Sequence, residues 1–126
     1  MAEIRFDERV AIVTGAGGGI GRTHALLLAE RGAKVVVNDL GGNVDGSGEG
    51  TAPADGVVAE ITDAGGIAMP DYRPVDDFEA AEQLVQDVYD RWGRVDIVIN
   101  NAGILRDRAF NNMTEDEFDR VYAVHL

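Results

Sequence analysis

Short, continuous apolar runs recur along the chain and predict buried strands. The clearest lie at residues 10–13, 34–37 and 95–99, and a weaker one lies at 67–69. Their residues are mostly β-branched and barely alternate with polar ones, which is typical of strands covered on both faces of a parallel sheet. The sequence therefore predicts four parallel strands.

Helical stretches separate these runs. They cover residues 20–31, 54–64 and 77–92, and a glycine follows each stretch. A glycine just past a helix supplies the left-handed conformation that a helix end often needs. The third stretch carries apolar side chains at steps of three and four, which form one face of a helix: Phe78, Ala81, Val85, Val88 and Trp92.

A last helix is predicted from residue 113, with Thr114 as its N-cap and Glu117 completing a capping box. The order of elements is then β-α-β-α-β-α-β-α. Such alternation with short turns indicates a parallel sheet with right-handed crossovers. We therefore expect an α/β fold that is the N-terminal half of a doubly wound parallel-sheet (Rossmann) domain.

Composition narrows the possible functions. The chain has 126 residues, no cysteine and a formal net charge of −12. The length suits one domain, and zero cysteine excludes disulfides and thiolate metal sites. No apolar run approaches the ~18 residues of a membrane span, and an acidic chain lacks the basic face that binds nucleic acid. We expect neither a membrane nor a nucleic-acid partner.

A glycine-rich stretch at residues 41–54 interrupts the alternation of strands and helices. Oxygen-bearing side chains alternate along it as in a calcium loop: Asn43, Asp45, Ser47 and Glu49. The twelfth position of such a loop is a bidentate glutamate, but here it is Ala54. We therefore expect a solvated loop and no metal site.

A glycine turn lies between the first strand and the first helix, at residues 14–21. Its pattern is T-G-x-x-x-G-I-G, with Gly15, Gly19 and Gly21, and Ile20 stands where the G-x-G-x-x-G form requires glycine. Unhindered backbone amides at a helix N-terminus bind phosphate, because the unpaired N–H groups and the helix dipole favour an anion. We expect this turn to bind the pyrophosphate of a dinucleotide.

Asp39 ends the second strand, 18 residues beyond Gly21. An acidic side chain at this place accepts hydrogen bonds from the adenosine ribose hydroxyls of NAD. Its charge would repel the 2′-phosphate of NADP, and no arginine stands beside it in the sequence, so we expect NAD as cofactor. The alternative is that Asp39 only caps a turn at the strand end.

The fourth strand runs into Asn101, Ala102 and Gly103. The carboxyl ends of strands are where an open α/β sheet binds ligands. Ala102 and Gly103 are small enough for a cofactor sugar to lie close, and the Asn101 amide both donates and accepts hydrogen bonds.

Together these motifs resemble the short-chain dehydrogenase/reductase family over essentially the whole chain. Residues 35–42 (VVVNDLGG), 100–110 (NNAGILRDRAF) and 124–126 (VHL) resemble one subgroup, the (3R)-hydroxyacyl-CoA dehydrogenase domains of peroxisomal multifunctional enzymes of type 2 and their bacterial relatives. The resemblance implies an NAD-dependent oxidoreductase that oxidises 3-hydroxyacyl-CoA to 3-ketoacyl-CoA. It also implies an adenine contact at Val75, through its backbone, since Pro74 replaces the family's aspartate. His125 stands where many members have asparagine, and we expect it to have a packing role.

The catalytic residues of that family are missing from this chain. The family uses a tyrosine, a lysine four residues later and a serine, whereas none of Tyr72, Tyr89 and Tyr122 is followed by such a lysine. Lys34 is the only lysine and Ser47 the only serine. We therefore name no catalytic residue, and expect residues 1–126 to be an inactive cofactor-binding half, truncated before the catalytic segment.

Other readings of the sequence stay open. A 3-oxoacyl-carrier-protein reductase shares the glycine turn and the NNAG pattern, although such reductases usually prefer NADPH. A non-catalytic nucleotide-binding module would also lack the catalytic residues, and a methyltransferase shares the turn but not NNAG. We further expect a homo-oligomer, a cytoplasmic location (peroxisomal if the source is eukaryotic), and self-association or marginal stability of the isolated segment.

Overall fold

The computed structural model describes residues 4–41 and 52–102. The elements follow in the order β1 Val10–Thr14, α1 Gly19–Glu30, β2 Lys34–Asn38, α2 Ala52–Asp63, β3 Ile67–Asp71, α3 Phe78–Trp92 and β4 Ile97–Ile99. The predicted alternation of strands and helices is confirmed across these residues. The helix predicted from residue 113 and most of the glycine-rich stretch, with its calcium-loop pattern, lie outside the described residues.

All four strands are parallel, in the order β3-β2-β1-β4. The chain therefore passes from β1 to one side and, after β3, crosses to the other side of β1. Thr14, Asn38 and Asp71 lie in register in one row at the carboxyl ends of β1, β2 and β3. Ligands of open α/β sheets bind outside such carboxyl ends, at the place where the strand order reverses. Here that place is the end of β1.

The two faces of the sheet carry separate apolar clusters. On one face α1 and α2 pack over the sheet, with Ala11, Val13, Val35 and Val37 from the strands; on the other face α3 packs on Val10, Ile12 and Val36. Successive strand residues point to opposite faces, so strands covered on both faces are apolar at every position. This packing explains why the two central strands, β1 and β2, appear in the sequence as unbroken apolar runs.

Glycines end three helices in the predicted way. Gly32, Gly65 and Gly93 have φ of +101°, +91° and +78°, the left-handed conformation of a helix C-terminus. At α2 the N–H of Gly66 reaches back to the carbonyl of Ile61 at 2.9 Å, which satisfies a carbonyl that the helix leaves unpaired.

The apolar stripe predicted for α3 is divided between core and surface. Val88 is fully buried, but Phe78 and Val85 are 80% and 40% exposed. The line that packs on the sheet runs through Leu84 and Val88, with Trp92 half-buried beside them. The periodicity therefore predicts the helix correctly, while the sheet decides which of its apolar residues are buried.

No helix within residues 4–41 and 52–102 combines the length and the apolar character that crossing a bilayer requires. The same residues bring together no group of three or more His, Asp or Glu side chains that could hold a metal ion.

Candidate functional site

The first turn of α1 offers unpaired backbone amides at the carboxyl edge of the sheet. Its N-cap, Gly18, is extended and has no side chain to cap the helix. The first N–H to find a helical partner is that of Arg22, which donates to the Gly18 carbonyl at 3.1 Å. Within the described residues the N–H groups of Gly19, Ile20 and Gly21 have no acceptor. Such amides, at the positive end of a helix dipole, suit an anionic ligand.

The three glycines of the predicted pattern serve three different purposes. Gly15 has φ of +62°, and a Cβ there would lie 2.8 Å from the Ala102 Cα. Gly19 has φ of +55° and faces open space, so the backbone is accessible there. A Cβ at Gly21 would lie 2.3 Å from the Gly15 carbonyl oxygen, so this glycine lets the helix pack against the turn. A side chain at Gly15 or Gly21 would collide with backbone.

Asp39 is joined directly to the glycine turn. Its Oδ2 accepts the N–H of Gly17 at 2.8 Å, and its Oδ1 accepts the N–H of Gly41 at 2.8 Å. Each carboxylate oxygen has two lone pairs, so both keep capacity for hydroxyl groups of a ligand. The structure thus brings together the two elements that the sequence assigns to one dinucleotide, the phosphate-binding turn and the acidic strand end.

Gly17 is a site residue that the sequence pattern left unassigned. A Cβ at this position would lie 2.6 Å from Asp39 Oδ2 and 2.5 Å from the Pro53 Cβ. Only glycine lets the turn approach the carboxylate and the start of α2 this closely. The glycine cluster was the available signal, but the pattern T-G-x-x-x-G-I-G leaves position 17 free.

The segment after β4 is held against the end of β1 by Thr14. Its Oγ1 accepts the N–H groups of Asn101 and Ala102, both at 3.0 Å, and lies 3.4 Å from the Ile99 carbonyl. The Asn101 side-chain Nδ2 donates to the Gly15 carbonyl at 3.2 Å. Asn101 and Ala102 therefore lie beside the glycine turn, whereas Gly103 lies outside the described residues.

Val75 belongs to the turn that follows β3. Among the described residues its N–H has no acceptor and it makes no contact with the glycine turn that the structure records. Its segment is nevertheless fixed to β2, because the Asn38 side chain donates to the Arg73 carbonyl at 3.1 Å. The Val75 N–H is therefore a backbone donor without a partner in the part of the chain that the structure describes.

Two side chains that follow β3 bind carboxylates on the helices α2 and α3. The Tyr72 hydroxyl donates to Asp55 at the start of α2, and this hydrogen bond raises the pKa of Tyr72. The Arg73 guanidinium pairs with Asp87 of α3 and lowers the pKa of that carboxyl. The sequence shows no arginine next to Asp39, and in the structure the guanidinium of Arg73, the arginine that follows β3, lies on Asp71 and Asp87.

The family's catalytic residue types do not meet within the described residues. Lys34 begins β2 and so lies at the amino edge of the sheet, opposite the glycine turn. Tyr72 binds Asp55, and Tyr89 is 49% exposed on α3. Ser47, Tyr122 and His125 lie outside the described residues. The described site has unpaired backbone amides and a carboxylate suited to a dinucleotide, and among the described residues none of these catalytic types lies beside them.

Comparisons with known proteins agree with this geometry. The family described as short chain dehydrogenase matches residues 9–126. Peroxisomal multifunctional enzyme type 2 of Mus musculus is 54% identical over 123 residues, which cover 98% of this chain and 16% of that protein.

Two solved structures are also similar. A short chain dehydrogenase from Mycobacterium avium has a TM-score of 0.85 and 55% identity, over 95% of this chain and 41% of that one. A 7α-hydroxysteroid dehydrogenase complexed with NADH and 7-oxo glycochenodeoxycholic acid has a TM-score of 0.82 and 34% identity, over 94% and 43%. The chain thus spans less than half the length of each of these relatives.

Proposed function

Since this chain belongs to the short-chain dehydrogenase family, we propose that it binds NAD at the carboxyl edge of its sheet. The observation that carries the proposal is the hydrogen bond from the Gly17 N–H to Asp39, which joins the phosphate-binding turn to the acidic strand end. A solved relative of this fold contains NADH. The proposal rests on geometry of the chain and on that resemblance together.

Each part of the cofactor has proposed partners in this chain. The pyrophosphate would be held by the turn amides and the first turn of α1: Gly15, Gly19, Ile20 and Gly21. Asp39 would accept the hydroxyls of the adenosine ribose, and the Val75 N–H would meet the adenine. The other sugar would lie against Asn101, Ala102 and Gly103. Where the structure describes these groups, it leaves the amides of residues 19–21 unpaired and both Asp39 oxygens with spare capacity.

The choice of NAD over NADP follows from charge. A carboxylate that is hydrogen-bonded to Gly17 and Gly41 is fixed where a 2′-phosphate would have to lie. Two anions in contact repel each other, and a nearby cation would be needed to offset that repulsion. Arg73, the cation that follows β3, is already paired with Asp87.

We propose that the whole protein oxidises a 3-hydroxyacyl-CoA to the 3-ketoacyl-CoA, and that residues 1–126 are its cofactor-binding half. NAD supplies the chemistry as a hydride acceptor when it is bound. The chain itself would bind and orient that cofactor, and the serine, tyrosine and lysine that handle the hydroxyl proton would belong to a segment beyond it. The motifs shared with the multifunctional enzymes and the 54% identity to the mouse protein support this substrate class.

The alternatives differ in an observable way. A 3-oxoacyl-carrier-protein reductase would prefer NADPH and reduce the keto form, and a non-catalytic module would bind the nucleotide without turnover. In the full-length protein, formation of NADH from NAD and a 3-hydroxyacyl-CoA supports our proposal. Activity only with NADPH and a 3-oxoacyl substrate would favour the reductase.

We also propose an acyl-CoA partner and assembly into a homo-oligomer. The location is proposed as cytoplasmic, or peroxisomal in a eukaryotic source, since one relative is named as a peroxisomal enzyme. Sedimentation and cell fractionation of the full-length protein test these two points.

Calorimetric titration of this chain with NAD and NADP tests the binding proposal. We expect NAD to bind more tightly than NADP. Asp39→Asn should lower the affinity for NAD about tenfold and the affinity for NADP less, because hydrogen bonds to a charged group are worth ~1.5–3 kcal/mol. Asp63→Asn is the matched control, since Asp63 is exposed at the end of α2 and far along the chain from the turn. NADP binding as tightly as NAD would contradict the role of Asp39.

A further inference from the structure

A buried polar residue, Asn38, lies directly below the proposed cofactor site. It is 2% exposed at the end of β2, and its neighbour in register on β3, Asp71, is 6% exposed. Polar groups are rarely buried this deeply unless their hydrogen bonds are satisfied. The hydrogen bonds of this buried amide therefore show which parts of the chain Asn38 holds in place.

The Asn38 side chain binds the strand end and the segment that follows it. Its Nδ2 donates to Asp71 Oδ2 at 2.7 Å and to the Arg73 carbonyl at 3.1 Å. The same Asp71 oxygen accepts the Arg73 N–H at 3.1 Å. One amide group thus fixes the path of residues 71–73, which lead to Val75.

The backbone of Asn38 binds the other half of the site. Its carbonyl accepts the N–H of Ala16, inside the glycine turn, at 2.9 Å. The next residue, Asp39, donates its own N–H to the Asp71 carbonyl at 2.9 Å. Asn38 therefore connects the glycine turn, the acidic strand end and the segment after β3.

The Arg73 guanidinium holds the Asp71 carboxylate. Arg73 Nε lies 3.5 Å from Asp71 Oδ1, and the same guanidinium pairs with Asp87 on α3. This places one positive charge between two carboxylates. The arginine is thereby kept on the α3 side, where it offsets the charge of Asp71.

We infer that Asn38 and Asp71 are a positioning pair for the adenosine half of the cofactor, and that they set the preference for NAD by fixing Asp39. The inference rests on the proposed function, because it assigns the support of a site whose occupant is proposed. Neither residue touches the cofactor in this scheme. Asn38 acts through the position of the Asp39 carboxylate and of the chain before Val75.

The test is the preference of the chain for NAD over NADP, measured by titration with both cofactors. Asn38→Leu removes the amide from a position of similar volume. We expect the ratio of the Kd for NADP to the Kd for NAD to fall about tenfold, because a displaced Asp39 carboxylate would lose a hydrogen bond from the ribose, and a hydrogen bond to a charged group is worth about that factor. The affinity for ADP-ribose should fall by the same factor as the affinity for NAD, because ADP-ribose contains the same adenosine half.

Two variants separate positioning from plain destabilisation. Val36→Ala removes packing from the same strand on the face covered by α3, and should lower the melting temperature while keeping the cofactor preference. Asp71→Asn keeps an oxygen that accepts from Asn38 but removes the charge that faces Arg73, so it should lower the preference less than Asn38→Leu does. If Asn38→Leu does not fold, Asn38→Ala replaces it with the same expectation.

The outcomes are distinguishable. A folded Asn38 variant with the wild-type ratio of Kd values overturns the positioning pair and leaves NAD binding intact. Equal loss of preference in Val36→Ala also overturns it, since the effect would then follow stability alone. A wild-type chain that binds neither NAD nor ADP-ribose overturns the proposed function and this inference together.

Discussion

Thr14 shows how much of the site depends on a single hydroxyl. It is 6% exposed, and its oxygen accepts two backbone N–H groups from the segment after β4. A hydrogen bond contributes ~0.5–1.5 kcal/mol, and an unsatisfied buried donor costs more. The hydroxyl therefore stabilises the contact between the end of β1 and Asn101, which lies 87 residues further along the chain.

At Gly15 the backbone itself requires glycine. Gly15→Ala combines a φ of +62° with a Cβ 2.8 Å from the Ala102 Cα, so we expect a loss of ~2–4 kcal/mol in the free energy of unfolding. Urea denaturation measures it. Gly56→Ala is the matched control, because Gly56 lies inside α2 with open space around it. That change should stabilise the chain by ~0.5–1 kcal/mol, and a loss of equal size in both variants would contradict the argument.

At the scale of single residues, sequence motifs predicted part of the candidate site, and contacts in the structure identified the remaining residues. Gly15, Gly19, Gly21, Asp39 and Asn101 belong to recognisable patterns and all lie around the end of β1 or β2. Their roles toward a cofactor stay predictions. Thr14, Gly17 and Asn38 matter through partners that are 22–88 residues distant or on another strand, which no local pattern reveals.

At the scale of elements, α1 and α3 begin in opposite ways. Asp77 caps α3 by accepting the Ala80 N–H at 3.1 Å, whereas Gly18 gives α1 no side-chain cap and its first turn has no acidic residue. A side-chain cap is worth about 1 kcal/mol to a helix. The open start of α1 thus costs stability and leaves the amides available for an anion.

A capping side chain at the start of α1 should therefore raise the stability of the chain and lower its affinity for NAD. Gly18 is extended and has open space around it, so Gly18→Asp fits without strain. We expect a gain of only about 0.3 kcal/mol in stability, because glycine is itself a fair N-cap, and at least a tenfold loss in NAD affinity, since a carboxylate would occupy and repel the pyrophosphate position. Melting curves and titration measure the two effects.

Gly18→Asn provides the uncharged comparison for that experiment. It should cap the helix similarly and lower the affinity for NAD less than the aspartate does. If Gly18→Asp binds NAD as well as the wild type, the amides of α1 are not the pyrophosphate site.

At the scale of the whole molecule, hydrogen bonds and charge pairs connect the start of β1 to the segment before β4, at the amino edge of the sheet. Hydrogen bonds from Arg94 and from the Val10 N–H, with the nearby charge of Arg9, lower the pKa of Asp96 from 3.8 to about 2. Its Oδ2 accepts the Val10 N–H at 2.9 Å, which ties the segment before β4 to the start of β1.

This shift predicts how stability changes in acid. Because the folded pKa of Asp96 lies below its ordinary value, the carboxylate stabilises the fold above about pH 4 and loses that contribution as the pH falls toward 2. Asp96→Asn should flatten the dependence of unfolding free energy on pH in that window. Asp63→Asn, which removes an exposed carboxylate without hydrogen bonds in the described residues, should keep the wild-type slope. An unchanged slope in Asp96→Asn would refute the assignment.

The surface predicts self-association of the isolated chain. In the described part of the sheet β4 pairs with β1 alone, and Val98 on β4 is 55% exposed. An unpaired strand edge beside apolar surface favours contact between molecules, while the net charge of −12 opposes it. We expect light scattering to show oligomers that increase with salt, as charge is screened. A monomer that melts cooperatively at high temperature would contradict this.

The amino-acid sequence by itself determined the order of strands and helices, the family and the position of the glycine turn, because periodicity, glycine and capping residues act over a few neighbouring residues. Only the tertiary structure decided which face of α3 is buried, and that Asp39 binds Gly17, that Thr14 holds the end of β4, and that Asn38 meets Asp71. Those pairings depend on strand order and register, which bring together residues that are distant along the chain.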